Sequence, residues 1–130
     1  MNKRQFKILI VDDDFSSRRL LARFISGKWS VKILEAQEGS EALRIISEER
    51  PDLVLLDMMM PFMSGLEFLK ILRGNSKMKD TVVIACTSVD DKTTVSEIIQ
   101  YGVHGYIVKP FDRKVLIKKI STVVDIPSKK

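Results

Sequence analysis

The chain has 130 residues, 45% of them hydrophobic and 30% charged, a balance that builds one globular domain and excludes a disordered chain. Its formal charge of +5 raises nucleic-acid binding, but the basic residues are spread along the chain, dense only from Arg113 to Lys119 and at the tail, with no aromatic residues interleaved; solvated helix faces are the expectation. No apolar run approaches the ~20 residues of a membrane helix. The basic start, Met1 to Gln5, runs toward Asp12-Asp13-Asp14 and not into a leader's apolar core, and the lone Cys86 excludes an internal disulfide. A cytoplasmic protein is predicted, with neither a membrane nor nucleic acid as a direct partner.

In chain order, Phe6 to Val11 is short, apolar and rich in β-branched residues, as a strand buried on both faces should be. Phe15 to Ile25 carries Leu20, Leu21, Phe24 and Ile25 at helical spacing, with Gly27 as the predicted stop. Val31 to Ala36 reads as a second strand, and Ser40 to Glu49 as a helix ending ahead of Pro51. Leu53 to Leu56 is a third strand. Ser64 to Leu72 opens on Ser64 and Glu67 at capping-box spacing and ends at Gly74. Val82 to Cys86 is a fourth strand, Asp91 to Tyr101 a helix closed by Gly102, and Gly105 to Val108 a fifth strand. Asp112 caps a last helix that reaches Val124, before Pro127. Trp29 is expected to pack in the turn before the second strand, and Cys86 to be a small buried hydrophobe. Five strands alternating with five helices must cross over, which gives a parallel sheet covered on both faces. The expectation is one domain over residues 1–130, with a core of about 6–124 and 125–130 as a tail or linker stub.

In such a sheet, ligands bind outside the carboxyl ends of the strands. Just past the strands lie Asp12, Asp13 and Asp14, then Asp57, then Thr87 and Ser88, then Lys109 and Pro110. Three acids in one cleft repel one another, which a hard cation such as Mg²⁺ relieves through oxygen-only ligation. Lys109 adds a point charge and Thr87 a hydroxyl donor for phosphate oxygens. Metal, lysine and hydroxyl together suit a phosphoryl group in transfer, and Asp57, alone at a central strand end, is the candidate nucleophile. Asp14 reads as a helix cap, and His104 as a surface-loop residue. Met58, Met59, Met60 and Met63 read as packing and not as soft-metal ligands.

Four motifs in order carry a family resemblance. Val11-Asp12-Asp13-Asp14 with Arg18, Asp57 through Met60-Pro61, Met63, Gly65 and Glu67, Thr87-Ser88, and Gly102 through Lys109-Pro110-Phe111 together resemble the receiver domains of two-component response regulators, over about Phe6 to Val124. The resemblance implies a CheY-like, flavodoxin-like doubly wound (βα)5 sandwich with strand order 2-1-3-4-5. It implies that Asp57 accepts a phosphoryl group from a histidine kinase or histidine phosphotransfer protein. Asp12, Asp13, Asp57 and the backbone carbonyl of Met59 would hold Mg²⁺ (or Mn²⁺), and Thr87 and Lys109 would bind the acyl phosphate. A cis bond before Pro110 would aim the lysine. Thr87 and Tyr106 would form a switch pair that changes the face of the fourth helix, fifth strand and fifth helix toward a downstream protein. Val95, Ile98, Ile99, Val115 and Ile120 are candidates for partner contacts there or for core. Met59 and Val89 would tune phosphoryl lifetime, and as apolar residues they predict slow self-dephosphorylation. The implied protein is a monomer, able to dimerise once phosphorylated, and not a metabolic enzyme.

Four other readings compete for the same residues. One is a receiver that has lost phosphorylation and serves as a constitutive binding module; against it, every expected site residue is present. An aspartyl-phosphate phosphatase of the haloacid dehalogenase type needs a second Asp two residues after the nucleophile, where this chain has Met59. A flavin carrier needs a phosphate-cradling first loop, which three acids would repel. The chain also matches a receiver cut from a longer transcriptional or enzymatic regulator.

Overall fold

The computed structural model describes residues 5–88 and 95–127. Five strands and five helices alternate: β1 Lys7–Val11, α1 Phe15–Lys28, β2 Lys32–Ala36, α2 Gly39–Glu49, β3 Leu53–Asp57, α3 Gly65–Gly74, β4 Val83–Ser88, α4 Val95–Gln100, β5 Gly105–Lys109 and α5 Arg113–Val123. The sheet is parallel throughout, in the order β2-β1-β3-β4-β5. This is the doubly wound order the resemblance implies.

The near-continuous apolar strands are explained by two cores, one on each side of the sheet. Leu9, Val11, Val54, Leu56, Val83 and Ala85 point to one, where Ala42, Ile46, Phe68, Leu69, Leu72 and Ile98 of α2, α3 and α4 pack. Their neighbours Ile8, Ile10, Leu53, Leu55, Ile84 and Cys86 point to the other, against Leu21, Ala22, Ile25, Leu116 and Ile120 of α1 and α5. A two-residue period with both faces buried leaves polar positions in the central strands only at their carboxyl ends. Each fully buried Val, Leu, Ile or Phe in these cores contributes roughly 1.5–3 kcal/mol of burial. No helix among the described residues is long and apolar enough to cross a membrane.

Several local expectations are corrected. Gly27 does not stop the first helix, which runs on to Lys28 and ends at Trp29 in extended conformation. The indole is 5% exposed, so core packing of Trp29 and not glycine chemistry turns the chain out of the helix. The strands β3, β4 and β5 run further than their apolar runs, so Asp57, Thr87, Ser88 and Lys109 lie on strands and not just beyond them. The predicted start of the fourth helix at Asp91 and the residue Val89 lie outside the described residues. Its end is as expected: Gly102 adopts φ +76, a left-handed turn glycine favours. The capping box of Ser64 and Glu67 is present, and Asp112 caps α5 by accepting from the Val115 N–H.

The charge is also less dispersed in space than along the chain. Helices α1 and α5 lie on the same side of the sheet and carry Arg18, Arg19, Arg23, Lys28, Arg113, Lys114, Lys118 and Lys119 with no acidic residue between them. Helix α2 on the opposite side carries Glu41, Glu48 and Glu49 against Arg44 alone.

Candidate functional site

The carboxyl ends of β1, β3, β4 and β5 bring Asp12, Asp13, Asp57, Thr87 and Lys109 to one edge. Asp12 is 2% exposed and follows β1 directly, with its N–H donating to the Ala36 carbonyl (3.1 Å). Its Oδ1 accepts from the Asp14 N–H at 2.9 Å and its Oδ2 from Lys109 Nζ at 3.3 Å. Asp57 is 8% exposed; its Oδ1 accepts from the Met59 N–H at 3.1 Å and lies 3.6 Å from Lys109 Nζ. Asp13 is exposed. Single oxygens of Asp12, Asp13 and Asp57 all lie within 4.8 Å of one another.

Burial pushes the Asp57 carboxyl up to about 6, and the charges of Asp12 and Asp13 push the same way, against Lys109 and the Met59 N–H. Burial disfavours the Lys109 ammonium, but Asp57 and Asp12 outweigh it and hold the group above its ordinary range. The lysine therefore stays charged and bridges two acids. Oxygen-only donors around concentrated negative charge, open to solvent through Asp13, suit a hard divalent cation.

Asp14 stands apart as the N-cap of α1. Its Oδ2 accepts from the N–H and hydroxyl of Ser17 (3.1 and 2.8 Å), bonds that hold its carboxyl below the usual range. Thr87 is 7% exposed, and its hydroxyl donates to the Ser88 carbonyl at 3.4 Å. Tyr106 is 36% exposed, with Lys119 Nζ 6.0 Å from its ring centroid. Thr87 pairs with Val108 and Ala85 with Tyr106, so the register puts Thr87 and Tyr106 diagonally on one face of adjacent strands. The Lys109–Pro110 peptide is cis. Of the candidate partner contacts, Ile98 and Ile120 belong to the core, whereas Ile99 and Val115 are exposed, as is Val108.

Two residues, one beside the site and one at the opposite edge of the sheet, were not predicted in these roles. Arg18 is 9% exposed and donates to the Asp12 carbonyl at 2.7 Å and to Glu35 at 3.1 Å, fixing the backbone of the acidic turn from below. Its signal was an arginine on the apolar stripe of α1, one turn before Leu21 and Ala22. His104 extends the β4–β5 ladder: its N–H donates to the Val83 carbonyl (2.8 Å) and its Nδ1 accepts from the Val83 N–H (3.2 Å). Burial, then the charge of Arg73, lowers its pKa, so the neutral acceptor form is favoured.

The loop after β3 contains a strained residue. Phe62 has φ +69, the Met63 N–H donates to the Pro61 carbonyl at 2.7 Å, and the ring is 93% exposed. A γ-turn centred on a bulky residue costs roughly 1–3 kcal/mol, with no packing to offset it. Phe62→Gly is expected to stabilise the protein by about 1 kcal/mol after the glycine's greater freedom when unfolded is subtracted. A higher urea midpoint at unchanged slope would show it; a lower one would mean the ring has a contact that outweighs the strain.

The response regulator receiver domain family matches residues 8–121. The chain is 33% identical over 119 residues to the chemotaxis protein CheY of Pseudomonas aeruginosa, covering 92% of this chain and 96% of that one. It is 36% identical over 112 residues to the probable C4-dicarboxylate response regulator DctR of Priestia megaterium, covering 85% of this chain but 48% of that protein. The solved structure of the chemotaxis response regulator CheY4 of Vibrio cholerae superposes with a TM-score of 0.84 at 30% identity, over 93% of this chain and 100% of that one. Fold, strand order and sequence thus agree, and the chain belongs to the response regulator receiver domain family.

Proposed function

We propose that this receiver domain is a phosphorylation-driven signalling switch, in which Asp57 takes a phosphoryl group from a phosphohistidine of a kinase or phosphotransfer protein. The observation that carries the reading is the convergence of three carboxylates with the Lys109 ammonium bridging Asp12 and Asp57. Asp12, Asp13, Asp57 and the Met59 carbonyl would hold Mg²⁺ or Mn²⁺. That cation supplies charge neutralisation for the acids and the incoming phosphoryl oxygens.

Asp57 attacks phosphorus through one carboxylate oxygen; the new P–O bond forms as the P–N bond to the donor imidazole breaks, and the imidazole takes up a proton. Lys109 exchanges one carboxylate contact for a phosphoryl oxygen. Thr87, a buried hydroxyl near the end of β4, turns to donate to another. The diagonal placement of Tyr106 lets its ring follow the vacated space, altering the face of α4, β5 and α5. Exposed Ile99, Val108 and Val115 give that face apolar contacts for a downstream protein. The apolar Met59 thioether cannot act as a base toward water, and Val89 is apolar as well, which supports slow self-dephosphorylation. A reducing cytoplasm is in keeping with the free Cys86 thiol. The half-length match to DctR supports a second reading, the same switch governing an attached output domain.

Acetyl phosphate with Mg²⁺, followed by intact mass, tests the chemistry. One phosphate increment is expected in the unaltered protein and none in Asp57→Asn. No increment, or one that survives the substitution, would sink the reading.

A further inference from the structure

The fold treats one methionine differently from its neighbours. Met58 and Met60 are buried beneath α2 and α3, and Met63 and Met78 pack partly buried against the same core. Met59 is 51% exposed and belongs to neither core. Its N–H donates to Asp57 Oδ1 at 3.1 Å, while its thioether accepts from the Ser88 hydroxyl at 3.2 Å. Ser88 ends β4 beside Thr87, so the Met59 side chain reaches from the end of β3 to the end of β4, over the mouth of the acceptor site.

Methionine oxidation follows exposure and turns a soft apolar group into a polar sulfoxide. The Cys86 sulfur, one strand over from Asp57, is closed to oxidation. Cys86 is 2% exposed and burial pushes its thiol up to about 12, leaving no thiolate to react.

We propose that Met59 is a hydroperoxide-sensitive modification site whose oxidation shortens the lifetime of the phosphoryl group on Asp57. The second half rests on the phosphoacceptor reading above. In the step, a sulfur lone pair attacks one peroxide oxygen, the O–O bond breaks and the S–O bond forms. Sulfur loses two electrons, and the hydroperoxide leaves as water or an alcohol after the proton passes to the departing oxygen. A weak acceptor is thereby replaced by a strong one set one bond further out. It can take the Ser88 hydroxyl bond and also accept from a water facing phosphorus, giving that water the orientation a thioether cannot provide.

Limiting hydrogen peroxide, then peptide mapping, and separately loading of the oxidised protein with acetyl phosphate and Mg²⁺, tests both halves. The Met59 sulfoxide is expected ahead of those at Met58, Met60, Met63 and Met78. Phosphoryl decay is expected to quicken about tenfold, and methionine sulfoxide reductase should reverse both changes. Met59→Leu should show a decay that peroxide leaves as it was, and Met59→Gln a fast decay without peroxide. Oxidation of the packed methionines first, or a Met59 sulfoxide with unchanged decay, overturns the proposal. If even untreated protein takes no phosphate, the lifetime half falls with the phosphoacceptor reading, and the order of oxidation still decides the modification.

Discussion

Asp57→Asn is expected to make the metal-free protein more stable at pH 7, by about 2 kcal/mol, at the same time as it removes the proposed phosphoacceptor. The carboxyl is raised to about 6 from an ordinary 3.8, chiefly by burial. The folded state therefore binds this proton more tightly than the unfolded chain. Between about pH 4 and 6 stability falls as pH rises, and at pH 7 the full cost of the buried charge is present. Two units correspond to about 3 kcal/mol at most, and the lost attraction of Lys109 takes back a part. The substituted amide oxygen still accepts from the Met59 N–H, so that donor keeps its partner. Urea unfolding in EDTA should show the Asp57→Asn protein ahead at pH 7 and the gap narrowing by about pH 4.5. Mg²⁺ should then reverse the order, since a ligand at a hundred times its Kd adds about 2.7 kcal/mol to the folded state that binds it. A less stable variant in EDTA would mean that Lys109 pairing outweighs burial.

That tension between stability and function is legible in the sequence because it is local. Asp12, Asp13, Asp57, Thr87 and Lys109 each follow or close an apolar run, and parallel topology sends all such ends to one edge. Residues that act across elements leave weaker signals. Trp29 overrides Gly27 because a tertiary contact decides where α1 ends. Arg18 looks like a surface cation until α1 docks and turns it onto the Asp12 carbonyl. The basic residues read as dispersed along the chain because α1 and α5 are far apart in sequence and neighbours in space. The diagonal placement of Thr87 and Tyr106, the proposed switch pair, is likewise a matter of strand register, which periodicity does not specify.

Arg73 is the clearest case of this kind, and Arg73→Ala is expected to cost about 3 kcal/mol of stability. From the last turn of α3 its Nε donates to the Tyr101 carbonyl, its Nη1 to those of Lys79 and Thr81, and its Nη2 to that of Gly102, all at 2.8 Å. One guanidinium thus ties the loop before β4 to the loop before β5. The bonds to Tyr101 and Thr81 are partly buried and dominate the loss, whereas water can replace Arg73 at Lys79 and Gly102. Gly102 is bound to the same device: its φ is +76, and a Cβ there would stand 3.3 Å from Arg73 Nε. Arg73→Lys should recover little, because a point charge cannot reach both loops as a planar fork does. The staple fixes the entry ends of β4 and β5 and leaves Thr87 and Lys109, at the exit ends, outside its grip. Its removal should therefore speed amide exchange at 101–104 well beyond the global change, while acetyl phosphate still labels Asp57. A urea shift below about 1 kcal/mol would show that solvent satisfies all four carbonyls as well as the arginine does.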